Sequence, residues 1–211
     1  MKRLFTILFA LIGVNYFAQS FSGSIEFKYY TLRDTSLNTY WVKDSKIKLD
    51  QYSKKNNNTI EGSFIFDLEG KDIKVVNPKR KVWSELKSEI PPVLKGKCDV
   101  TKGKDKTING LKCHEYVVKN TEENTIITYY LTTEHYDFFI PMMELWNRKD
   151  KQSIYFSKIK GLAKGTMPVL SEERSIEENK FVSKLEITKL TKSEVDNSKL
   201  AVPEEYKKFD Q

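Results

Sequence analysis

Apolar and polar residues alternate with a period of two along most of the chain after residue 20. Ile25, Phe27 and Tyr29 alternate with charged residues, and Tyr40 and Val42 continue the same pattern. Side chains in an extended chain point alternately to opposite faces, so this pattern predicts half-buried strands. The other segments with this pattern are residues 46–49, 64–68, 73–75, 82–83, 111–119, 125–133, 169–176 and 181–190.

Short polar turns separate the first of these strands. Asp44-Ser45, the run from Glu69 to Asp72, and Asn77-Pro78 each stand between two apolar segments. Such turns join antiparallel neighbours, whereas parallel strands need long crossovers that usually contain a helix. Because the sequence shows little helical pattern between strands, it predicts an antiparallel sheet that is large enough to curl.

One segment breaks the alternation. The run "YDFFIPMMELWNR", from Tyr136 to Arg148, is apolar almost all round a short helix, with Pro141 near its first turn. A helix that is apolar on all sides must be covered. A second, shorter helical turn is predicted between Ser84 and Lys97. The predicted fold is therefore mainly β: a curled antiparallel sheet, forming an incomplete half-barrel, with one or two short helices packed on its concave face.

The first residues have the pattern of a secretory signal peptide. Lys2 and Arg3 precede an apolar run from Leu4 to Phe17, and small residues around Ala18 supply a cleavage site. We expect residues 1–20 to be removed and residues 21–211 to form a single exported domain, in the periplasm or outside the cell. The apolar run is too short for a bilayer, and no later segment is long enough, so no transmembrane segment is expected after cleavage.

Charge narrows the range of partners. The chain has 36 basic and 29 acidic residues, giving a formal net charge of +7, and lysine is far commoner than arginine. Proteins that bind nucleic acids favour arginine for bidentate contacts to phosphate and guanine. Lysines scattered among carboxylates instead indicate a solvated surface. We therefore expect a monomer without a nucleic-acid partner.

The segment "TINGLKCHEY" places Cys113 beside His114 in a chain with two residues of each type. In a strand these neighbours point to opposite faces, so a catalytic thiol would need His135 instead. A zinc site would combine both histidines with Cys113 and Cys98, but their spacing matches no compact ligand motif. Because export favours oxidation, the first interpretation is a disulfide between Cys98 and Cys113. Free buried thiols, and a catalytic or metal site, remain alternatives.

Motifs of the common enzyme classes are missing from the sequence. It contains no G-x-S-x-G, H-E-x-x-H, G-x-x-x-x-G-K-[ST] or G-x-G-x-x-G pattern. Its paired carboxylates lie in lysine-rich, loop-like surroundings that favour surface solvation. We therefore predict a protein that is not an enzyme, with no catalytic residues, no bound metal and no cofactor.

Three segments carry a resemblance: "KTINGLKCHEYVVK", "KIKGLAKGTMPVL" and "LEITKLTKSEVDNSKLAVPEEYKKF". Together with the strand order they resemble a domain-of-unknown-function family of exported bacterial proteins, grouped with lipoprotein-carrier-like (LolA-like) folds. The resemblance implies the fold of the related carriers, in which an incomplete antiparallel barrel wraps around helices and encloses an apolar cavity for acyl chains. The residues that match the family pattern are Asn109, Gly110, Lys112, Cys113, Val202, Pro203 and Tyr206.

The sequence supports two functional hypotheses. In the first, an exported envelope protein binds a lipid or other apolar small molecule under a lid formed by the apolar helix. The candidate lid residues are Phe138, Phe139, Met142, Met143, Leu145 and Trp146. In the alternative hypothesis, the helix fills the core, and the protein is a structural or partner-binding envelope module. Exposure of Trp41, Trp83 or Trp146 to solvent would favour this alternative. A hydrolase using Cys113 with His135 ranks third.

Overall fold

The computed structural model describes residues 20–53, 58–87, 90 and 93–209. The predicted signal peptide, up to residue 19, lies outside the described residues. The strands are β1 (Gly23–Thr31), β2 (Thr35–Lys43), β3 (Lys46–Tyr52), β4 (Ile60–Asp67), β5 (Asp72–Asn77), β6 (Val82–Glu85), β7 (Asp99–Lys102), β8 (Lys106–Ile108), β9 (Leu111–Asn120), β10 (Thr125–Thr132), β11 (Met167–Ser175), β12 (Phe181–Lys192) and β13 (Lys207–Lys208). The helices are α1 (Phe139–Trp146), α2 (Lys151–Phe156) and a 3-10 helix (Asn197–Leu200).

All the described strands belong to one curled, open sheet. Their order is β13-β6-β5-β4-β3-β2-β1-β12-β11-β10-β9-β7, with β8 also paired to β9. Within the described residues every pairing is antiparallel except that of β13 with β6. The predicted fold class, a mainly β curled antiparallel sheet with short helices on one face, is confirmed.

The turn between β8 and β9 contains the Asn-Gly pair noted in the sequence. Asn109 and Gly110 both have positive φ, 51° and 79°, as two-residue hairpin turns of this kind require. The side-chain Nδ2 of Asn109 donates a hydrogen bond of 2.8 Å to the carbonyl of Ile187 in β12. The hairpin tip is thereby tied to a strand far away in sequence.

One face of the sheet, the inner face, carries the apolar residues of the alternating pattern and packs against both helices. Ile25 pairs with Tyr40, Tyr40 with Leu49, and Leu49 with Phe64, so directly paired positions extend one apolar surface across four strands. The buried residues of this core on β1 to β5 are Ile25, Phe27, Tyr40, Val42, Ile47, Leu49, Phe66 and Ile73. Burial of this surface holds the curled sheet around the helices.

Helix α1 lies on the inner face and is held there by aromatic contacts. The ring of Trp146 lies 4.9 Å from that of Phe64 and 5.0 Å from that of Phe66, centroid to centroid. Met142 is completely buried. The helix ends at Asn147, a left-handed residue with φ 52° whose N–H bonds to the carbonyl of Met143. The predicted apolar helix is therefore present and covered.

Helix α2 follows α1 after a short connection. The carboxylate of Asp150 caps its first turn by accepting hydrogen bonds from the N–H and the hydroxyl of Ser153, at 3.0 and 2.8 Å. The ring of Phe156 lies edge-on to Phe139 of α1 and to Tyr129 of β10, at 5.6 and 6.0 Å. The two helices therefore form one packed pair on the inner face.

The opposite, outer face is covered by the C-terminal segment between β12 and β13. Leu200 of the 3-10 helix is buried, as are Ile65 and Val76 on the outer face of β4 and β5. The ammonium group of Lys199 lies 4.0 Å from the ring centroid of Trp41, which leaves that tryptophan half-buried. This part of the sheet is therefore covered on both faces.

The structure corrects one local prediction and adds two strands. No helical turn occurs in the described part of the segment from Ser84 to Lys97: Ser84 and Glu85 belong to β6, and residues 86, 87, 90 and 93–97 are irregular, while 88, 89, 91 and 92 lie outside the description. Strands β7 and β8, on either side of residues 103–105, were not predicted by the alternation. Both are short strands with mainly exposed side chains, so they carry little apolar periodicity.

The predicted disulfide between Cys98 and Cys113 is also corrected, because both cysteines are free. The register pairs Asp99 of β7 with Lys119 of β9. Cys98 therefore lies near the end of β9, and the strand from Cys113 to Lys119 spans roughly 20 Å at about 3.3 Å per residue. A disulfide needs Cα atoms within about 7 Å of each other. Sequence spacing did not reveal this register.

Candidate functional site

The inner face of the sheet has a polar end as well as an apolar one. Asn38 pairs with Phe27 and with Gln51, and it lies on the same face as the apolar core. It is nearly fully buried, and its Nδ2 donates to the hydroxyl of Ser36 at 3.1 Å. Tyr29 is on this face two residues along β1. Polar groups therefore line the end of the inner face formed by the last residues of β1 and the first of β2.

A buried hydrogen-bond network fixes α2 to this polar end. The side-chain amide of Gln152 donates to Ser183 Oγ at 2.7 Å and accepts from Ser171 Oγ. Ser183 Oγ in turn donates to Glu173 Oε2 at 2.7 Å, and Tyr129 donates to the backbone carbonyl of Gln152 at 2.6 Å. Side chains of three strands, β10, β11 and β12, thus hold Gln152 of α2 through this connected set of hydrogen bonds.

A small cavity of about 100 Å³ lies between the helix pair and the inner face, where the apolar and polar ends meet. Its apolar lining is Phe27, Tyr40, Leu49, Phe139, Met143, Phe156, Pro168 and Leu185, and its polar lining is Tyr29, Ser36, Asn38, Gln51, Tyr129, Arg148, Asp150, Gln152, Ser153 and Ser171. Burial raises the pKa of Tyr40 to about 12 and also raises the pKa of Tyr29. Both phenols are therefore neutral at physiological pH. The cavity is amphipathic.

Arg148, in the connection between the two helices, lies at the edge of this cavity. Its Nε is 2.7 Å from Asp150 Oδ2, and its guanidinium carbon is 4.5 Å from the centroid of the Trp146 ring. The ion pair compensates the arginine charge, and the stacking holds its plane against α1. Arg148 thereby fixes the connection between α1 and α2.

A groove of about 540 Å³ runs between α1, α2 and the segment up to residue 162. Four side chains line both the groove and the cavity: Met143, Arg148, Ser153 and Phe156. The groove and the cavity therefore share part of their walls.

The six predicted lid residues take different positions. Phe139, which is buried in the core, and Met143 line the cavity. Phe138, Met142 and Trp146 are buried in the core, and the remaining residue, Leu145, is half-buried against it. The polar lining was not predicted, because period-two strands were read as apolar inside and polar outside. The Asp-x-x-Ser capping pattern at Asp150 was the one sequence signal for α2.

Cys113 and His114 lie on opposite faces of β9, as the strand geometry predicts. Cys113 is fully buried, and burial raises the pKa of its thiol, which disfavours the nucleophilic thiolate. His114 Nδ1 lies 2.7 Å from Asp105 Oδ1 on the other face, and His135 is exposed.

Among the residues that the structure describes, no group of three or more His, Cys, Asp or Glu is arranged to hold a metal ion. In the same part of the chain, neither helix is long and apolar enough to cross a membrane.

Comparisons with solved structures give distant similarities. PNGF-II shares 10% identity with a TM-score of 0.42 over 84% of this chain, which spans only 30% of PNGF-II. A LolA superfamily protein from Nitrosomonas europaea shares 9% identity with a TM-score of 0.36, over 88% of this chain and 91% of its own. A putative outer membrane lipoprotein-sorting protein domain from Vibrio parahaemolyticus shares 10%, with a TM-score of 0.33 over 83% and 87%. Similarities this distant leave function to be argued from the site.

Comparisons of sequence give one match and one negative result. The profile of a family described as "Domain of unknown function (DUF4412)" matches residues 21–206. A search of curated proteins found no match.

Proposed function

We propose that this protein, which belongs to the DUF4412 family, is an exported, non-enzymatic protein of the cell envelope. It binds a lipid or other apolar ligand at its helix pair. The single observation that supports this most is the common wall of cavity and groove, formed partly by Met143 and Phe156. The signal-peptide pattern of residues 1–20 supports export to the periplasm or beyond the cell.

The volumes indicate how a ligand would enter. Sites for small molecules usually measure about 300–1,000 Å³, so the groove of about 540 Å³ is large enough while the cavity of about 100 Å³ is not. A ligand therefore binds first in the groove, and its apolar end enters the cavity when Met143 and Phe156 move apart. Each buried methylene would contribute about 0.8 kcal/mol to binding.

The test uses purified protein beginning at Phe21 and displacement of a fluorescent fatty-acid analogue. Met143→Asp places a charge in the wall common to groove and cavity, so it should weaken binding at least about tenfold. Because Met143 is half-buried, the variant should still fold, which circular dichroism verifies. Thr121→Asp adds the same charge in the exposed turn between β9 and β10 and should leave affinity unchanged. Absence of saturable displacement would contradict the proposal.

A structural or partner-binding module with a filled core is the second candidate. The complete burial of Phe138 and Met142 and the small cavity favour it. Ile90 and Val93, exposed by 88% and 95%, are side chains that a protein partner could cover. Trp41 and Trp83 are half-buried and Trp146 is buried, so the tryptophans do not add to this candidate. It predicts that native mass spectrometry finds no bound lipid and that Met143→Asp changes no binding signal.

A further inference from the structure

The groove between the helices has an apolar floor. Its apolar residues come from α1, from α2 and from the segment that follows α2: Ile140, Met143, Ile154, Phe156, Ile159 and Leu162. Ile154, Phe156 and Ile159 are nearly fully buried, whereas Ile140, Met143 and Leu162 are partly exposed at the rim of the groove. A surface of this kind suits an alkyl chain better than a polar ligand.

The charged residues of the groove are mainly cations. Arg148, Lys158 and Lys160 line it together with one carboxylate, Glu144. The charge of Arg148 is compensated by Asp150, whereas Lys158 and Lys160 are exposed. Lys160 Nζ donates to the carbonyl of Ser157 at 3.1 Å, which leaves further N–H donors of the ammonium group for a ligand. The excess positive charge therefore lies just after the C-terminal end of α2.

The two ends of the groove differ in a way that orients a ligand. Lys158 and Lys160 follow the C-terminal end of α2, whereas Arg148, which precedes α2, and Ser153, in its first half, also line the cavity. A charged head at Lys158 and Lys160 would thus point its chain along the apolar floor toward Met143 and the cavity.

We infer that the ligand is a single-chain fatty acid whose carboxylate binds at Lys158 and Lys160 while its chain lies along the groove toward the cavity. The inference rests on the proposed function and adds the class of ligand and its orientation. Charge complementarity selects the anionic head, and a groove of about 540 Å³ has the volume of a site for one small ligand.

The experiment measures displacement of a neutral fluorescent apolar probe by three compounds of equal chain length: dodecanoate, dodecanol and dodecyltrimethylammonium. Dodecanoate should bind about tenfold more tightly than dodecanol, and the cationic compound should bind most weakly. The preference for dodecanoate should decrease as salt is added, because exposed charges are screened.

Two double variants locate the head group. Lys158→Gln with Lys160→Gln should weaken dodecanoate binding about tenfold, since each exposed ionic contact contributes modestly, and should leave dodecanol unchanged. Lys119→Gln with Lys180→Gln removes the same charge from exposed positions elsewhere and should leave both affinities unchanged. Equal binding of all three compounds, or equal losses in both double variants, would overturn the inference while leaving the proposed function standing. If none of the compounds displaces the probe, the proposed function fails as well.

Discussion

Cys98 and Cys113 both carry free thiols but lie in different environments. Cys113 is fully buried, whereas Cys98 is partly exposed beside Asn120, whose Nδ2 is 3.8 Å from its sulfur. We predict that the unfolded, unreduced protein takes up two alkyl groups, and that in the folded protein Cys98 reacts much faster than Cys113 because reagent reaches it directly. Mass spectrometry after timed alkylation measures both rates. A mass two hydrogens below that of the reduced chain would contradict this prediction.

Glu123 links the turn after β9 to helix α2, and it should make stability depend on pH. Its carboxylate accepts from the N–H of Lys95 at 2.9 Å and from the hydroxyl of Tyr155 at 3.2 Å, and it lies 3.4 Å from the ammonium group of Lys151. The hydrogen bond from Lys95, followed by the Lys151 contact, lowers the pKa of Glu123. Because the pKa of Glu123 is lower in the folded protein than in the unfolded chain, its carboxylate stabilises the folded state at pH values above the ordinary carboxyl pKa. This stabilisation is lost as the pH falls through the lowered pKa of the folded protein.

Glu123→Gln should therefore reduce the free energy of unfolding at neutral pH by about 1 kcal/mol, and the difference from the unmodified protein should shrink between roughly pH 6 and pH 3. Urea unfolding at a series of pH values provides the measurement. Glu122→Gln, at an exposed neighbouring position, is the matched control and should have little effect at any pH. A constant difference across the pH range would argue against a role for this carboxylate.

Individual polar residues of the inner face were the least predictable part of the site. Ser171, Glu173 and Ser183 occupy strand positions where a polar side chain normally indicates the solvent face. On the inner face, Gln152 of α2 bonds to Ser171 and Ser183, and Ser183 in turn donates to Glu173. Periodicity contains no information about a partner that lies tens of residues away, so the sequence alone did not predict this buried polar network.

At the scale of elements, α1 derives its stability from burial on the sheet. Eight residues are too few for a stable isolated helix, so tertiary packing must hold it. Met142→Ala removes most of a fully buried side chain and should lower the free energy of unfolding by about 2–5 kcal/mol. Glu144→Ala, two residues away and exposed, should change it by less than about 0.5 kcal/mol. Similar values for the two variants in urea unfolding would show that α1 is not docked.

The two helices differ in how far the sequence predicted them. The apolar run around Met142 interrupts a strand pattern for longer than a turn, so α1 was predicted with its ends within three residues of those observed. Helix α2 has six residues, too few for a helical period to be recognised, and only the capping carboxylate of Asp150 marks its start. Because the groove lies between the two helices, predicting one of them was insufficient to predict the groove.

At the scale of the whole molecule, the C-terminal segment acts as part of the core although it lies on the outer face. Leu200→Ala should lower the free energy of unfolding by about 2–4 kcal/mol, because Leu200 is buried against the outer face of the sheet. Phe209→Ala, at a position with 55% exposure directly after β13, should cost much less. Thermal unfolding of both variants compares them directly. Equal losses would mean that the segment does not cover the sheet as described.

The sequence predicted the general architecture better than the connections between distant parts. The hairpins from β2 to β5 follow from turns such as Asp44-Ser45, and the resemblance to a domain-of-unknown-function family is confirmed by the match to DUF4412. By contrast, the pairing of β1 with β12 and the cover over Trp41 join residues more than a hundred positions apart. Such contacts depend on three-dimensional packing, which local patterns of residues do not encode.

The pairing of β1 with β12 has a consequence for the order of folding. It joins the first strand to one of the last, and it connects strands β1 to β6 with strands β7 to β12, while β13 pairs with β6. The sheet therefore stays in two unjoined parts until residues 181–192 become available, and closing so long a loop is slow. A polypeptide translocated from its N-terminus would then complete its sheet only after nearly all of it had crossed the membrane.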